Sequence, residues 1–234
     1  MLSVIFQPPL IAAIFLRRYK RFLADVVLQN GEEVTILCPN TGSMKTCLGE
    51  GWPAMISIAK NPDRKTKYTL EMVHNQVCWI GLNTQLANQI VVEAIQEGKI
   101  AEISPSQYLR TEVKYGQNSR IDILIDDPKQ KTYIEIKTVT LLEDNTYMFP
   151  DAVTTRGHKH LKELVNMVKD GHRAINFFLV LRSDGNLFKP AEHIDPEYAR
   201  LLNLARNQGV EILAYGTDIF PEQINVNVPV QISL

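Results

Sequence analysis

Residues 120–139 read Arg-Ile-Asp-Ile-Leu-Ile-Asp-Asp-Pro-Lys-Gln-Lys-Thr-Tyr-Ile-Glu-Ile-Lys-Thr-Val. The stretch predicts a hairpin: an apolar strand over 121–125, a turn built from Asp126, Asp127, Pro128 and Lys129, and a second strand over 133–139. Side chains alternate along a strand, so Glu135 and Lys137 share a face. Asp122 lies early in the first strand, between Ile121 and Ile123. If it faces the same side, the neighbouring strands hold the two carboxylates roughly 5 Å apart. Charge among apolar strand residues is costly unless it is paired or binds a metal. Two hard oxygen ligands suit Mg²⁺ (or Mn²⁺), which uses one or two protein carboxylates and keeps water in its other positions. Lys137 beside them can stabilise the charge of an attacking hydroxide or of a phosphate. The competing reading is an edge hairpin with a surface Glu–Lys pair.

Working outward, Asn83 and Thr84 can cap a helix that runs to Glu97 and stops at Gly98, with Ala87, Ile90, Val91 and Ala94 as its apolar stripe. A strand over 111–115 and a turn over 116–119 precede the hairpin. A second helix over 154–170 places Leu161, Leu164, Val165 and Val168 on one face and Arg156, Lys159 and Asn166 on the other. His158 and His160 are two apart on it, diverge, and are not read as ligands. The apolar run 175–181 suits a central buried strand. Asp195-Pro196 starts a third helix ending near Gly209. A buried strand over 210–215 follows, and the alternating tail Ile224, Val226, Val228, Val230, Ile232 predicts an added edge strand.

The first 80 residues have another texture. Short strands are expected over 10–16, 22–28, 33–38, 54–59, 68–73 and 77–81, with Asn30-Gly31 as a hairpin turn. So many short strands predict a small closed barrel of the oligonucleotide-binding type. Such barrels bind nucleic acid with aromatic and basic side chains. The cluster Arg17, Arg18, Tyr19, Lys20, Arg21, Phe22 fits that use; a solvated strand end with Tyr19 and Phe22 in the core is the alternative. The basic run Lys60, Arg64, Lys65, Lys67 reads as a solvated turn.

With 25 Lys+Arg against 26 Asp+Glu, the 234-residue chain has a formal charge of −1, which counts mildly against nucleic-acid binding. The base is concentrated early: residues 1–80 carry 9 Lys+Arg and 6 Asp+Glu. Cys38, Cys47 and Cys78 make neither a disulfide framework nor a zinc motif. In the apolar start, the charges of Arg17 and Arg18 follow the apolar run, the wrong order for a signal peptide, and the run is too short for a membrane span. A cytoplasmic protein without a membrane partner is the expectation.

Asp122, then Glu135-x-Lys137 thirteen positions on, resembles the signature of the PD-(D/E)xK nuclease superfamily, although Ile121 stands where that signature has Pro. The resemblance implies that Asp122 and Glu135 bind the metal and that Lys137 assists catalysis. Glu112, one strand earlier, is a candidate third carboxylate, or else a solvent-facing partner of Lys114. Glu93 on the first helix is similar to the helical Glu that some resolvases add, or else it edges the apolar stripe. Arg156 and Lys159 are candidates to reach a phosphate, or else form a solvated face. No role follows for Phe149-Pro150-Asp151.

The whole chain resembles the sugar fermentation stimulation family. The matching stretches include Arg18 to Asp25, Cys38-Pro39-Asn40-Thr41-Gly42, Glu112 to Gly116, Arg120-Ile121-Asp122, Tyr133 to Lys137, Phe149 to Thr154 and Gly209 to Tyr215. The resemblance implies an α/β chain with an OB-like barrel over 1–81 and a PD-(D/E)xK nuclease-like mixed sheet with flanking helices over 82–234. It also implies a DNA-binding bacterial protein linked to maltose metabolism. Two functions stand side by side: a Mg²⁺-dependent DNA endonuclease, and a non-catalytic DNA-binding regulator with a vestigial nuclease fold. DNA is the expected partner, and a homodimer is left open.

Overall fold

The computed structural model describes residues 4–116 and 119–234. Its strands are β1 (Val4–Ile5), β2 (Ile11–Tyr19), β3 (Leu23–Leu28), β4 (Glu33–Leu37), β5 (Pro53–Ile58), β6 (Tyr68–His74), β7 (Trp79–Gly81), β8 (Leu109–Tyr115), β9 (Ser119–Ile125), β10 (Thr132–Val139), β11 (Leu141–Glu143), β12 (Thr146–Phe149), β13 (Arg173–Val180), β14 (Leu187–Pro190), β15 (Glu211–Ile219), β16 (Gln223–Pro229) and β17 (Gln231–Ile232). Its α-helices are α1 (Ala87–Gln96), α2 (Thr155–Lys169) and α3 (Pro196–Asn207).

Strands β2 to β7 form one sheet in the order β4-β3-β2-β5-β6-β7. Pairing of Leu37 in β4 with Thr69 in β6 closes it into a barrel. Alternation sends Phe15, Val26, Ile36, Ile56 and Leu70 inward as its core. Cys38, Met44 and Cys47 from the loop after β4 plug one end, so two of the three cysteines serve as small buried apolar groups. The Asn-Gly turn forms as expected, with Gly31 at φ +85°.

The second half is a seven-stranded mixed sheet in the order β1-β16-β15-β13-β10-β9-β8. The hairpin anticipated over 121–139 is β9–β10, antiparallel. Strands β10, β13 and β15 run parallel, joined through α2 and α3. Helix α1 packs Ile90, Val91 and Ala94 on one face, against Ile123, Ile134 and Phe177. Helices α2 and α3 pack Leu161, Leu164 and Leu202 on the other, against Tyr133, Phe178 and Val180. Buried on both faces, β13 carries the apolar run that the sequence shows, with Asn176 buried within it.

Two local expectations differ, and a third is left untested. The helix predicted from Asn83 begins with a separate 3₁₀ turn, Thr84–Leu86. The tail is not one edge strand: β16 meets the two-residue β1 at Gln223 and Ile224, and β17 leaves to become the last strand of a small sheet of order β11-β12-β14-β17. The expected turn at 116–119 includes residues 117 and 118, outside the described residues. Among the described residues no helix is long and apolar enough to cross a membrane.

The two halves are joined by buried polar contacts. Arg182 donates to both oxygens of Asp184 at 2.7 Å, to Thr140 O at 2.7 Å and to Thr46 Oγ1 at 3.1 Å. Asn75 of the barrel donates to Asp184 Oδ2 at 2.7 Å, and Gly81 N to Leu181 O at 2.9 Å. Removing one partner of a buried ion pair strands the other charge. Arg182→Met is therefore expected to cost about 3–5 kcal/mol in urea unfolding; a loss below about 1 kcal/mol, the range of exposed pairs, would show the junction to be solvated.

Candidate active site

The β9–β10 ladder runs from Ile125↔Thr132 to Ile123↔Ile134 and then stops. At the next position Asp122 replaces the ladder bond: its Oδ2 accepts the Ile136 N–H at 2.7 Å. On the other side the β8–β9 register skips from Thr111↔Ile123 to Val113↔Ile121, and Glu112, opposite Asp122, has φ +55°. Asp122 thus stands at an interruption on both edges of its strand. Tyr133 and Val139 pack under α2 and α3, so alternation turns Glu135 and Lys137 to the same side. Lys137 Nζ lies 2.7 Å from Glu135 Oε1. His160, reaching down from α2, contacts the same oxygen through Nδ1. Glu135 is 2% exposed and His160 3%.

The two carboxylates respond to one environment in opposite directions. Burial, and then repulsion from Glu135, push Asp122 up to about 7. Burial also pushes Glu135 up, but Lys137 and His160 outweigh it and hold Glu135 below its ordinary value. Glu135 Oε2 is buried with no hydrogen-bond partner among the described residues. A buried bare carboxylate oxygen beside a second carboxylate is a donor set that fits a hard cation. Among the described residues no three His, Cys, Asp or Glu side chains gather as a ready-made metal cage. A cation here would rest on two carboxylates, with water or substrate completing its shell.

These groups line a cavity of about 490 Å³ between the two halves of the chain. The sheet contributes Asp122, Glu135 and Lys137, and α2 contributes Arg156. The barrel contributes Arg21, Asn40, Thr41 and Gly42. Asp151 holds that barrel loop in place, accepting from Met44 N at 3.2 Å and Ser43 Oγ at 3.4 Å. Gly42 is required there, since a Cβ would overlap the Asp151 carboxylate. The loop around Phe149-Pro150-Asp151 thereby gains the role that its sequence did not reveal.

The other expected site residues are dispersed. Glu112 is exposed and accepts from Asn88 at 2.7 Å. Glu93 accepts from Gln89 on α1 at 2.8 Å and does not line the cavity. In the basic cluster, Arg17 pairs with Asp25 at 2.8 Å, and Tyr19 donates to the same Asp25 at 3.0 Å. Arg18 donates to Arg21 O at 2.7 Å and Asn40 O at 2.9 Å, bracing the barrel loop. Lys20 and Arg21, at φ 48° and 63°, form the exposed hairpin tip, and Arg21 donates to Thr41 O at 3.2 Å. Lys159 lies 3.6 Å from Glu163 and does not line the cavity. His160 and Asp151 were missed. The i, i+4 spacing of Arg156 and His160 was the available signal for the first; nothing local marks the second.

A family profile described as the sugar fermentation stimulation protein RE domain matches residues 85–223, and one described as the SfsA N-terminal OB domain matches residues 16–82. The sugar fermentation stimulation protein homolog of Geotalea uraniireducens is 55% identical over 218 residues, covering 93% of this chain and 94% of its own length. That of Shewanella frigidimarina is 51% identical over 220 residues, covering 93% and 94%. The solved structure of Pyrococcus furiosus SfsA in complex with Ca²⁺ aligns with a TM-score of 0.88 at 27% identity, over 100% of both chains.

The raised Asp122 has a consequence for stability. With a folded value of about 7 and an ordinary value of 3.8, the folded state binds the extra proton. Stability is then fully present below about pH 4 and is lost as pH rises toward 7. Asp122→Asn removes this dependence. In cation-free buffer the variant should melt above wild type at pH 8, with the gap narrowing steadily as pH falls from 7 to 4. A gap independent of pH would show that Asp122 is ionised throughout.

Proposed function

Since the chain belongs to the sugar fermentation stimulation protein family, we propose that it is a DNA-binding protein whose restriction-endonuclease-like second domain hydrolyses phosphodiester bonds. In this reading residues 1–81 hold the nucleic acid and residues 82–234 cut it. The observation that carries the reading is the meeting of Asp122, Glu135 and Lys137 on one cavity, with the two carboxylates repelling each other. Asp122 and Glu135 are the residues that would hold a divalent cation, Mg²⁺ or Mn²⁺. The Ca²⁺ in the Pyrococcus furiosus relative supports a divalent site in the family.

When bound, the cation would supply Lewis-acid stabilisation of the phosphoryl oxygen and a lowered pKa for water. The chain's own residues do the rest. Lys137 places a positive charge where the transition state gathers negative charge. Arg156 of α2 and Arg21 of the barrel both line the cavity and would orient the phosphates flanking the scissile bond. No base-reading element accompanies them, so little sequence preference is expected.

A second reading, DNA binding without cleavage, is favoured by one observation: the Lys137 ammonium is engaged with Glu135. A cleavage assay on single-stranded, duplex and branched DNA with Mg²⁺ and Mn²⁺ separates the two. Wild type should cut, Glu135→Ala should not, and Lys137→Met should lose roughly 10²-fold or more. Lys137→Met cutting as fast as wild type would remove the lysine from the chemistry. Binding with no cleavage of any form would leave the regulator reading. Replacing Lys20 and Arg21 together by Ala should flatten the slope of log affinity against log salt by about 1.4–1.8; an unchanged slope would move the phosphate contacts elsewhere.

A further inference from the structure

The two oxygens of Glu135 are in different states. Oε1 receives Lys137 and His160, whereas Oε2 has no hydrogen-bond partner among the described residues. The far edge of His160 shows which ring nitrogen accepts. Arg156 Nε lies 3.2 Å from His160 Nε2, and a guanidinium can only donate. Nε2 is therefore the acceptor, which leaves Nδ1 as the N–H that faces Glu135 Oε1. Lys137 Nζ is 3.3 Å from that Nδ1, but two donors do not bond to each other; both converge on Oε1. A directed chain thus runs from Arg156 on the cavity wall, through His160, to the buried carboxylate.

The start of α2 is fixed firmly enough to keep His160 in place. Thr154 caps the helix, accepting from Gly157 N at 3.1 Å. Asp195 accepts from Thr154 N at 2.8 Å and meets His158 Nε2 at 2.9 Å. Arg156 and His160 then fall one turn apart on the face over the site.

We propose that His160 is a positioning residue for a divalent cation: held in its Nδ1–H form by Arg156, it ties down Glu135 Oε1 and leaves Oε2 to bind the cation beside Asp122. The inference rests on the metal-dependent reading above. A carboxylate with both oxygens taken by donors is a poor ligand, and one with neither held is free to rotate. Holding one side leaves a single bare oxygen in a fixed orientation. Hydrogen bonds to ligating carboxylates typically set metal affinity by about 10–100-fold.

Titration calorimetry of Ca²⁺ and Mg²⁺ into the full chain, without nucleic acid, keeps any phosphate contact of Arg156 out of the measurement. His160→Leu should weaken binding about 10-fold or more. His160→Asn, whose amide N–H can replace Nδ1–H, should stay within about threefold of wild type. Arg156→Met, which frees the tautomer, should fall between them. In cation-free wild type, ¹⁵N imidazole spectra should report an Nδ1–H tautomer for His160. Three results would each overturn the inference: a Leu variant that binds like wild type, an Asn variant as weak as Leu at an unchanged melting temperature, or an Nε2–H ring in wild type. A wild type that binds neither cation would overturn the nuclease reading as well, whereas binding indifferent to His160 would sink the positioning role alone.

Discussion

Burial of the Glu135 carboxylate within a seven-stranded sheet constrains most of what surrounds it. A buried charge without partners is strongly destabilising, so the fold has to bring partners to it. Lys137 comes from the same strand face, two residues on. His160 has to come from a helix on that face, which fixes where α2 crosses the sheet. The start of α2 is tied in turn to Asp195, which caps α3 by accepting from Tyr198 N at 2.9 Å. Burial pushes Asp195 up, but the N–H groups of Thr154 and Tyr198, with His158, hold it below the usual carboxylate range. One buried acid at the site and one behind it therefore set the placement of two helices.

The barrel completes the site instead of hanging beside it. Asn40, Thr41 and Gly42 form a wall that the sheet domain does not supply. Arg18 and Arg21 donate to carbonyls of that wall, and Asp151 grips it from the other half. Part of the basic cluster is thus spent on architecture.

The hairpin over 121–139 was legible because strand alternation and turn residues are local signals, and so was the spacing of Asp122, Glu135 and Lys137. The barrel was legible for the same reason. Strands β1 and β17 were not, because two residues carry no period and their pairing is decided by distant edges. His160 was passed over because two histidines two apart were judged against each other, not against a strand 25 residues earlier in the chain. Asp151 could not be read either: its partner Met44 lies 107 positions away, and no local pattern encodes such a contact.

Formal charge ties the proposed chemistry to these displacements. Without a cation near pH 7, the raised Asp122 keeps part of its proton and the lowered Glu135 is ionised, beside the Lys137 side chain with its formal charge of +1. The three groups then sum to between 0 and −1, which gives a phosphodiester no reason to approach. A divalent cation would drive the remaining proton from Asp122 and bring the sum to +1, matching the single negative charge of the phosphate. Cation and substrate would therefore bind as coupled ligands, each favouring the other. The opposite shifts of the carboxylates make this exchange accessible at neutral pH. With both pushed up by burial, two protons would have to leave a buried site. With both held down, the cavity would carry more uncompensated charge in the cation-free fold. One acid near 7 beside one kept ionised lets the folded chain rest close to neutral and still accept the cation.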